Sequence, residues 1–239
     1  VNREFWNSTS ETSHSLYVGS YGRGTAIDTS DIDMLVELPK SEYDRFDIYK
    51  GNGQSRLLQV VKSAIQTSYP RTDVRADGQV VVISFTDGIK FEVLPAFVSS
   101  DWCGNATYQY PDTNMGGNWR STNPKAEQEA MRSKNNSDYG LLFDTCKHMR
   151  YIRDNFFGSY HLSGIVIDSF VYAAIGGWSW SQPSSTSSAP AGDYEKHLYN
   201  VYINTYRYVS TITAPGSNQT VDLRNSRDCL EKVLYKMTQ

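Results

Sequence analysis

Cysteine is scarce in this sequence: Cys103, Cys146 and Cys229 stand far apart in a chain of 239 residues. An odd, scattered set excludes a disulfide framework and offers no Cys-x-x-Cys pair for zinc. Reduced thiols of a cytoplasmic protein are the expectation. Long apolar runs are also missing. Gln79–Phe85 and Ile165–Ile175 are too short or too interrupted to span a bilayer, so no membrane association is expected. Val1–Ser13 is mostly polar and lacks the apolar segment of a secretory leader. A basic excess is absent as well. The formal net charge is −3, whereas proteins that hold long nucleic acid usually carry a basic stripe to neutralise phosphate. No internal repeat is visible. The chain opens on Val1 in what reads as the middle of a helix, so an incomplete chain is one reading of it, left open by the sequence.

What is present suffices for one large domain or two joined lobes, since 39% of the residues are hydrophobic. Val1 to about Ser13 reads as a polar helix packed through Phe5 and Trp6, and Leu16–Val18 as a short strand. Gly19–Gly24 is a glycine-rich turn. Ile32–Leu38 alternates as a strand ended by Pro39. Arg56–Ser68 places Leu57, Val60, Val61, Ala64 and Ile65 at helical spacing. Val74–Ala76, Val80–Phe85 and Ile89–Phe97 read as strands, the last two joined by the hairpin signal Asp87-Gly88. After Trp119 the pattern turns helical, with helices over Lys125–Lys134 (Pro124 at the start), Leu141–Phe157, His161–Ile175, Tyr194–Ile212 and Asn225–Met237. The Ser/Pro/Ala-rich stretch Ser181–Gly192 suits a surface loop. The expected fold is α+β: a mixed sheet with helices over 1–119, then a helical lobe over 120–239.

The chemistry is concentrated in Asp31-Ile32-Asp33. Residues two apart on a strand share a face, so the two carboxylates stand side by side and repel. A divalent cation relieves that repulsion, and Mg²⁺ favours carboxylate and phosphate oxygens. Glu92, inside the apolar strand Phe91-Glu92-Val93-Leu94, is costly there unless paired or metal-bound. Placing its strand beside that of Asp31 and Asp33 makes three acids converge, enough to hold two metals for in-line displacement at an α-phosphate. Upstream, Gly19-Ser20 lies between a strand and a short helix. Glycine lets backbone approach a phosphate, a helix start offers free N–H groups, and Ser20 adds a hydroxyl.

Gly-Ser, a spacer of about ten residues, then Asp-hydrophobic-Asp resembles the nucleotidyltransferase signature of the polymerase-β-like superfamily. The longer segments Val18–Ile27 and Ser30–Asp33, with Phe91–Phe97 as a third-acid strand, resemble the bacterial cGAS/DncV-like nucleotidyltransferases (CD-NTases, or SMODS proteins). Trp119 and Thr122-Asn123-Pro124 resemble the segment joining that family's two lobes. Leu142–Tyr151 resembles its helix with a triphosphate-binding lysine, here Lys147. His161–Phe170 resembles the next helix, with Ser163 in the place of a nucleotide-contacting serine. The resemblance implies a two-lobed protein with its active site in the cleft, using Mg²⁺, with Mn²⁺ as a substitute. It implies synthesis of cyclic di- or trinucleotides from ATP, GTP, UTP or CTP in CBASS anti-phage signalling, with CBASS-associated regulatory proteins as partners. Two positions depart from the pattern: Glu92 stands where Asp is common, and Gly164 where many relatives carry a base-stacking tyrosine. The lack of a zinc ribbon argues against sensing of double-stranded DNA.

Plainer readings stand beside these. Asp31 and Asp33 suit a solvated loop, and Glu92 suits pairing with a lysine or arginine. Lys147 fits a solvated helix face and Ser163 a helix cap. Arg23 either reaches phosphate or anchors the turn, with the anchor favoured. His14, His148, His161 and His197 show no metal spacing. A linear oligonucleotide synthase, an enzyme of RNA ends, or a nucleotide-binding pseudoenzyme are the alternative functions.

Overall fold

Alternation of apolar and polar side chains from Ile32 and from Lys90 builds the two strands at the centre of the first half of the chain. The computed structural model describes residues 1–100, 104, 106–182 and 189–239. These fall into two units, Val1–Gly22 with Asp31–Asn123, and Arg23–Ser30 with Pro124–Gln239. The first unit runs α1 (Asn2–Trp6), β1 (Ser15–Tyr17), α2 (Gly19–Arg23, whose last residue opens the second unit), β2 (Ile32–Glu37), α3 (Lys40–Asp47) and α4 (Gly53–Ser68). It continues with β3 (Asp73–Asp77), β4 (Val80–Ser84), β5 (Lys90–Ser100), β6 (Ala106–Asp112), a 3₁₀ turn at Asn114–Gly116 and β7 (Asn118–Thr122).

Among the described residues these strands form one seven-stranded sheet in the order β1-β2-β5-β4-β3, with β6 on the far end of β5 and β7 on β6. Only the β2–β5 pairing is parallel among them, so the fold is α+β with a mixed sheet. The alternation gives each central strand two different faces. Met34, Val36, Phe91, Val93 and Phe97 pack with Leu57, Leu58, Val61 and Ile65 of α4. On the opposite face Leu35 and Ala96 pack with Leu16, Val18 and Tyr108. Asp33 and Glu92 belong to this second face, away from α4.

The second unit contains α5 (Pro124–Ser137), α6 (Leu141–Phe156), α7 (Gly164–Ala174), α8 (Asp193–Val201), a π-helical turn (Tyr202–Tyr206), β8 (Thr211–Thr213), β9 (Thr220–Asp222) and α9 (Arg227–Met237). Helix α7 is apolar almost all round, and Val166, Ile167, Phe170 and Val171 are fully buried among Leu142, Met149, Leu198, Leu230 and Val233. A helix buried on every side is the one the others must pack around. Cys146 and Cys229 are buried free thiols of this core. Cys103 lies outside the described residues, as do residues 183–188 of the Ser181–Gly192 stretch.

Several sequence expectations change. The N-terminal helix stops at Trp6, with Asn7 left-handed at φ 48°. Beyond it, Ser8 and Ser10 hydroxyls accept backbone N–H bonds from Ser10, Thr12 and Ser13, and such local bonds compete with a helix. The helix expected over His161–Ile175 starts only at Gly164, because Ser163 is extended (φ −71°, ψ 145°). The helix expected over Tyr194–Ile212 ends in the π turn. Thr211-Ile212-Thr213 instead pairs with Thr220-Val221-Asp222, as a β-branched run favours, and Gly216 turns between them at φ +64°. Helix α3 and the β6–β7 hairpin had no sequence expectation. The hairpin's alternating Thr107-Tyr108-Gln109-Tyr110 is the signal that marks it.

Candidate active site

Parallel pairing of β2 with β5 sets Asp33 directly opposite Glu92, with Ile32 opposite Phe91 one step earlier. Asp31 and Lys90 immediately precede that step. Side chains two apart share a face, so Asp31, Asp33, Lys90 and Glu92 form a square of charge on the sheet face away from α4. The Lys90 Nζ donates to Asp31 Oδ2 at 2.8 Å and to Glu92 Oε1 at 2.7 Å. Its hydrogen bonds to Asp31 first, then Glu92, hold the ammonium above the ordinary lysine range. The sequence left a lysine or arginine partner for Glu92 open, and Lys90 is that partner. Its signal was present as Lys-x-Glu on the strand facing Asp-x-Asp.

The turn between β1 and β2 closes on the same acids. Val18 N–H donates to the Asp33 carbonyl at 2.9 Å, which draws Gly19 onto the Asp33 side chain. Gly19 takes φ +57°, and a Cβ built there would lie 1.8 Å from Asp33 Oδ2. Only glycine satisfies both conditions. Ser20 follows in the first turn of α2, where backbone N–H groups have no intrahelical partner, and its hydroxyl makes no hydrogen bond among the described residues. Gly19, Ser20, Asp31, Asp33 and Glu92 therefore stand together in the first unit.

These residues supply hard oxygen donors of the kind Mg²⁺ and Mn²⁺ take. Among the described residues no three acidic, imidazole or thiolate groups are closed up as a metal cage. The Lys90 ammonium instead bonds to Asp31 and Glu92 oxygens at 2.8 and 2.7 Å, longer than the roughly 2.1 Å of magnesium to oxygen. In chemistry the donor set fits a divalent cation.

The remaining sequence candidates belong to the second unit. Lys147 is exposed on α6 and has no acidic partner among the described residues. Ser163 occupies the N-cap of α7 without a side-chain cap bond. Its backbone N–H donates to Ser226 Oγ at 3.2 Å, and its hydroxyl is unengaged among the described residues. Gly164 has a structural reason for lacking a side chain, since a Cβ there would come within 3.0 Å of Arg150 Nη2.

Arg23 is only 8% exposed. Its Nε donates to Asp168 Oδ2 at 2.7 Å and its Nη1 to Glu127 Oε2 at 3.1 Å. Asp168, fully buried, also accepts both terminal nitrogens of Arg150 at 2.7 and 2.8 Å and the Thr25 hydroxyl at 3.1 Å. Burial alone would raise the Asp168 carboxyl; the Arg150 and Arg23 guanidiniums outweigh it and bring it down to about 2. This geometry supports the anchoring role for Arg23, because its guanidinium is buried and bonded to two acids through Nε and Nη1. Sequence reasoning missed Asp168 and Arg150. Their signal was a charge on an otherwise apolar helix face, Asp168 amid Ile165–Phe170 and Arg150 beside Cys146 and Met149.

A family model described as the Second Messenger Oligonucleotide or Dinucleotide Synthetase domain, SMODS, matches residues 1–135, more than half the chain. A probable cyclic nucleotide synthase of Bacillus cereus (strain VD146) is 26% identical over 123 residues, covering 48% of this chain and 36% of that protein. The chain thus spans about a third of the length of that curated relative. Elizabethkingia meningoseptica CdnE cyclic dinucleotide synthase, solved with GTP and Apcpp, superposes with a TM-score of 0.63 at 16% identity, covering 93% of this chain and 82% of that one. Vibrio cholerae DncV cyclic AMP-GMP synthase gives 0.62 at 13% identity, covering 92% and 61%. At these identities the likeness is one of fold. No helix among the described residues is long and apolar enough to cross a membrane.

Proposed function

The chain belongs to the Second Messenger Oligonucleotide or Dinucleotide Synthetase (SMODS) family, and from that premise we propose that it is a nucleotidyltransferase making cyclic di- or trinucleotides from ribonucleoside triphosphates. The observation that carries the reading is the register Asp33 opposite Glu92, with Asp31 tied to Glu92 through Lys90 and Gly19 pressed on Asp33.

Asp31, Asp33 and Glu92 would hold Mg²⁺ or Mn²⁺, which when bound favours the ionised ribose hydroxyl and neutralises the α-phosphate and departing pyrophosphate. The chain's own residues do the positioning. Backbone N–H groups at Gly19 and Ser20, with the Ser20 hydroxyl, bind phosphate oxygens as helix starts do. Lys147 serves as a cation for the triphosphate, and Ser163 offers a free hydroxyl to the nucleotide. Arg23 fixes the turn from its buried partners and touches no substrate. Residues 1–119 form the catalytic lobe in this reading and 120–239 the helical lobe. One hydroxyl attacks the α-phosphate of a partner nucleotide, a phosphodiester forms and pyrophosphate leaves. A second attack within the linear product closes the ring. Family membership also supports a place in CBASS anti-phage signalling in the bacterial cytoplasm, with associated regulatory proteins as partners.

Incubation with α-labelled ATP, GTP, UTP and CTP and Mg²⁺, followed by phosphatase, tests the activity. Phosphatase-resistant label, absent with Asp33→Ala, is expected. Complete release of the label as phosphate, or equal products from wild type and variant, would overturn the reading.

A further inference from the structure

Two of the three proposed metal-binding acids share a cation that the chain itself provides. Lys90 and Glu92 lie two apart on β5, so both side chains leave the same face of the sheet. Parallel register brings Asp31 and Asp33 alongside them. The Lys90 ammonium has three N–H donors, and it gives one to Asp31 Oδ2 at 2.8 Å and one to Glu92 Oε1 at 2.7 Å. We propose that Lys90 is a built-in counter-cation of the acidic site, competing with a divalent metal ion for the carboxylates of Asp31 and Glu92. The inference rests on the functional reading above only in taking those carboxylates as metal ligands.

Three features make the exchange physically reasonable. The first is charge: one ammonium shared by the two carboxylates of Asp31 and Glu92 leaves that trio negative, so a doubly charged ion is favoured over the single charge it replaces. The second is exposure. The side chains of Lys90, Asp31 and Glu92 are 36%, 47% and 31% exposed, and ion pairs this open to water are weakly held. The lysine stem is long and flexible, so its head can leave while the stem stays on the sheet. The third is specificity of place. A lysine merely solubilising a strand edge would not need to bond acids on two different strands, whereas a cation taking a metal's position must.

Competition predicts that removing the ammonium tightens metal binding. In the full chain without nucleotide, Mn²⁺ affinity is measured by titration calorimetry and by the loss of the free Mn²⁺ electron paramagnetic resonance signal. Lys90→Met is expected to bind Mn²⁺ about tenfold or more tightly than wild type, because two charges no longer face a third of the same sign. It should also show a larger Mn²⁺-dependent rise in melting temperature. Lys90→Arg, which retains the cation and offers a fork to both carboxylates, is expected to bind Mn²⁺ no better than wild type. Lys50→Met, removing a charge from an exposed turn, should leave the affinity unchanged, and Asp33→Asn should abolish binding in every background. Equal or weaker Mn²⁺ affinity in Lys90→Met, with wild type binding in an Asp33-dependent way, overturns the role of Lys90 alone. Equal tightening by Lys50→Met also overturns it, by reducing the effect to net charge. No Asp33-dependent Mn²⁺ binding by either protein overturns this proposal together with the metal site of the functional reading.

Discussion

Gly19 and Asp33 leave no room for a side chain between them: a Cβ on Gly19 would stand 1.8 Å from Asp33 Oδ2. The glycine of the turn is therefore fixed by the acid beside it as much as by the phosphate it is proposed to meet. Gly19→Ala must either rotate the Asp33 carboxylate away or shift the turn, and it also places an alanine at φ +57°, which costs about 1–2 kcal/mol. A displacement of about 1 Å at a reacting centre lowers rate by roughly 100-fold. Product formation is expected to fall by about that factor while melting temperature drops by about 2–8 °C. Wild-type activity in Gly19→Ala would show that the contact does not position Asp33.

Glu92 is one methylene longer than the aspartate common at its position in the resembled family. Its carboxylate sits in register with Asp33, so Glu92→Asp keeps the charge and retracts it along the same direction. Glu92→Gln keeps the length and loses the charge. If the charge is what matters, Glu92→Asp retains activity within about tenfold, and Glu92→Gln loses about 100-fold, the upper end of the loss seen when groups supporting a metal are removed. Initial rates at saturating Mg²⁺ separate the two. Equal activity in both variants would place Glu92 outside the metal chemistry.

The spacing of Asp31, Asp33 and Glu92 was legible because strand period and apolar neighbours both report on the same face. Their union depended on a guess of strand adjacency that no local pattern dictates, and the parallel pairing of β2 with β5 supplies it. Lys90 was missed for the same reason: its two partners lie on different strands. Helices with a clear apolar stripe, such as α4 and α6, were readable to within a few residues. The stretch after Val201 was not, because Thr211–Thr213 gains its strand only through Thr220–Asp222, a pairing made across a turn. Buried Asp168 and Arg150 interrupt apolar faces, and a sequence reading treats each as noise until the partner is known.

Lys147 and Ser163 carry a separable prediction. Lys147 is exposed, and Ser163 lacks a cap bond from its hydroxyl, so neither side chain supports the fold. Lys147→Met and Ser163→Ala should each change stability by no more than about 0.5 kcal/mol, as surface substitutions do. If both meet nucleotide, the nucleotide KM rises by about tenfold for Lys147→Met and less for Ser163→Ala, because a charge-assisted hydrogen bond is about twice as strong as a neutral one. Unchanged KM in both would return Lys147 to a solvated face and leave Ser163 as a backbone N-cap alone.

Asp168 should be the most consequential carboxylate for stability. It is fully buried and bonded to Arg150 and Arg23, and Asp168→Asn leaves Arg150 without its counter-charge and Arg23 with Glu127 alone. Breaking a buried pair in this way costs about 3–5 kcal/mol, a large part of the total of about 5–15 kcal/mol that holds a domain together. The pH dependence follows from its carboxyl, which the two arginines hold at about 2 against burial, below the roughly 3.9 of an unfolded chain. A folded value below the unfolded one means that the unfolded state binds the proton first on acidification. The stabilisation is fully present above about pH 4 and is lost as pH falls through about 2, amounting to about 2 kcal/mol. Other carboxylates titrate in the same range, so the informative quantity is the difference between wild type and Asp168→Asn in urea unfolding at several pH values. That difference should be constant from pH 7 to pH 5 and narrow by about 2 kcal/mol on the way to pH 2. A difference that stays flat across the acid range would show that Asp168 does not draw its stabilisation from the charged pair with Arg150 and Arg23.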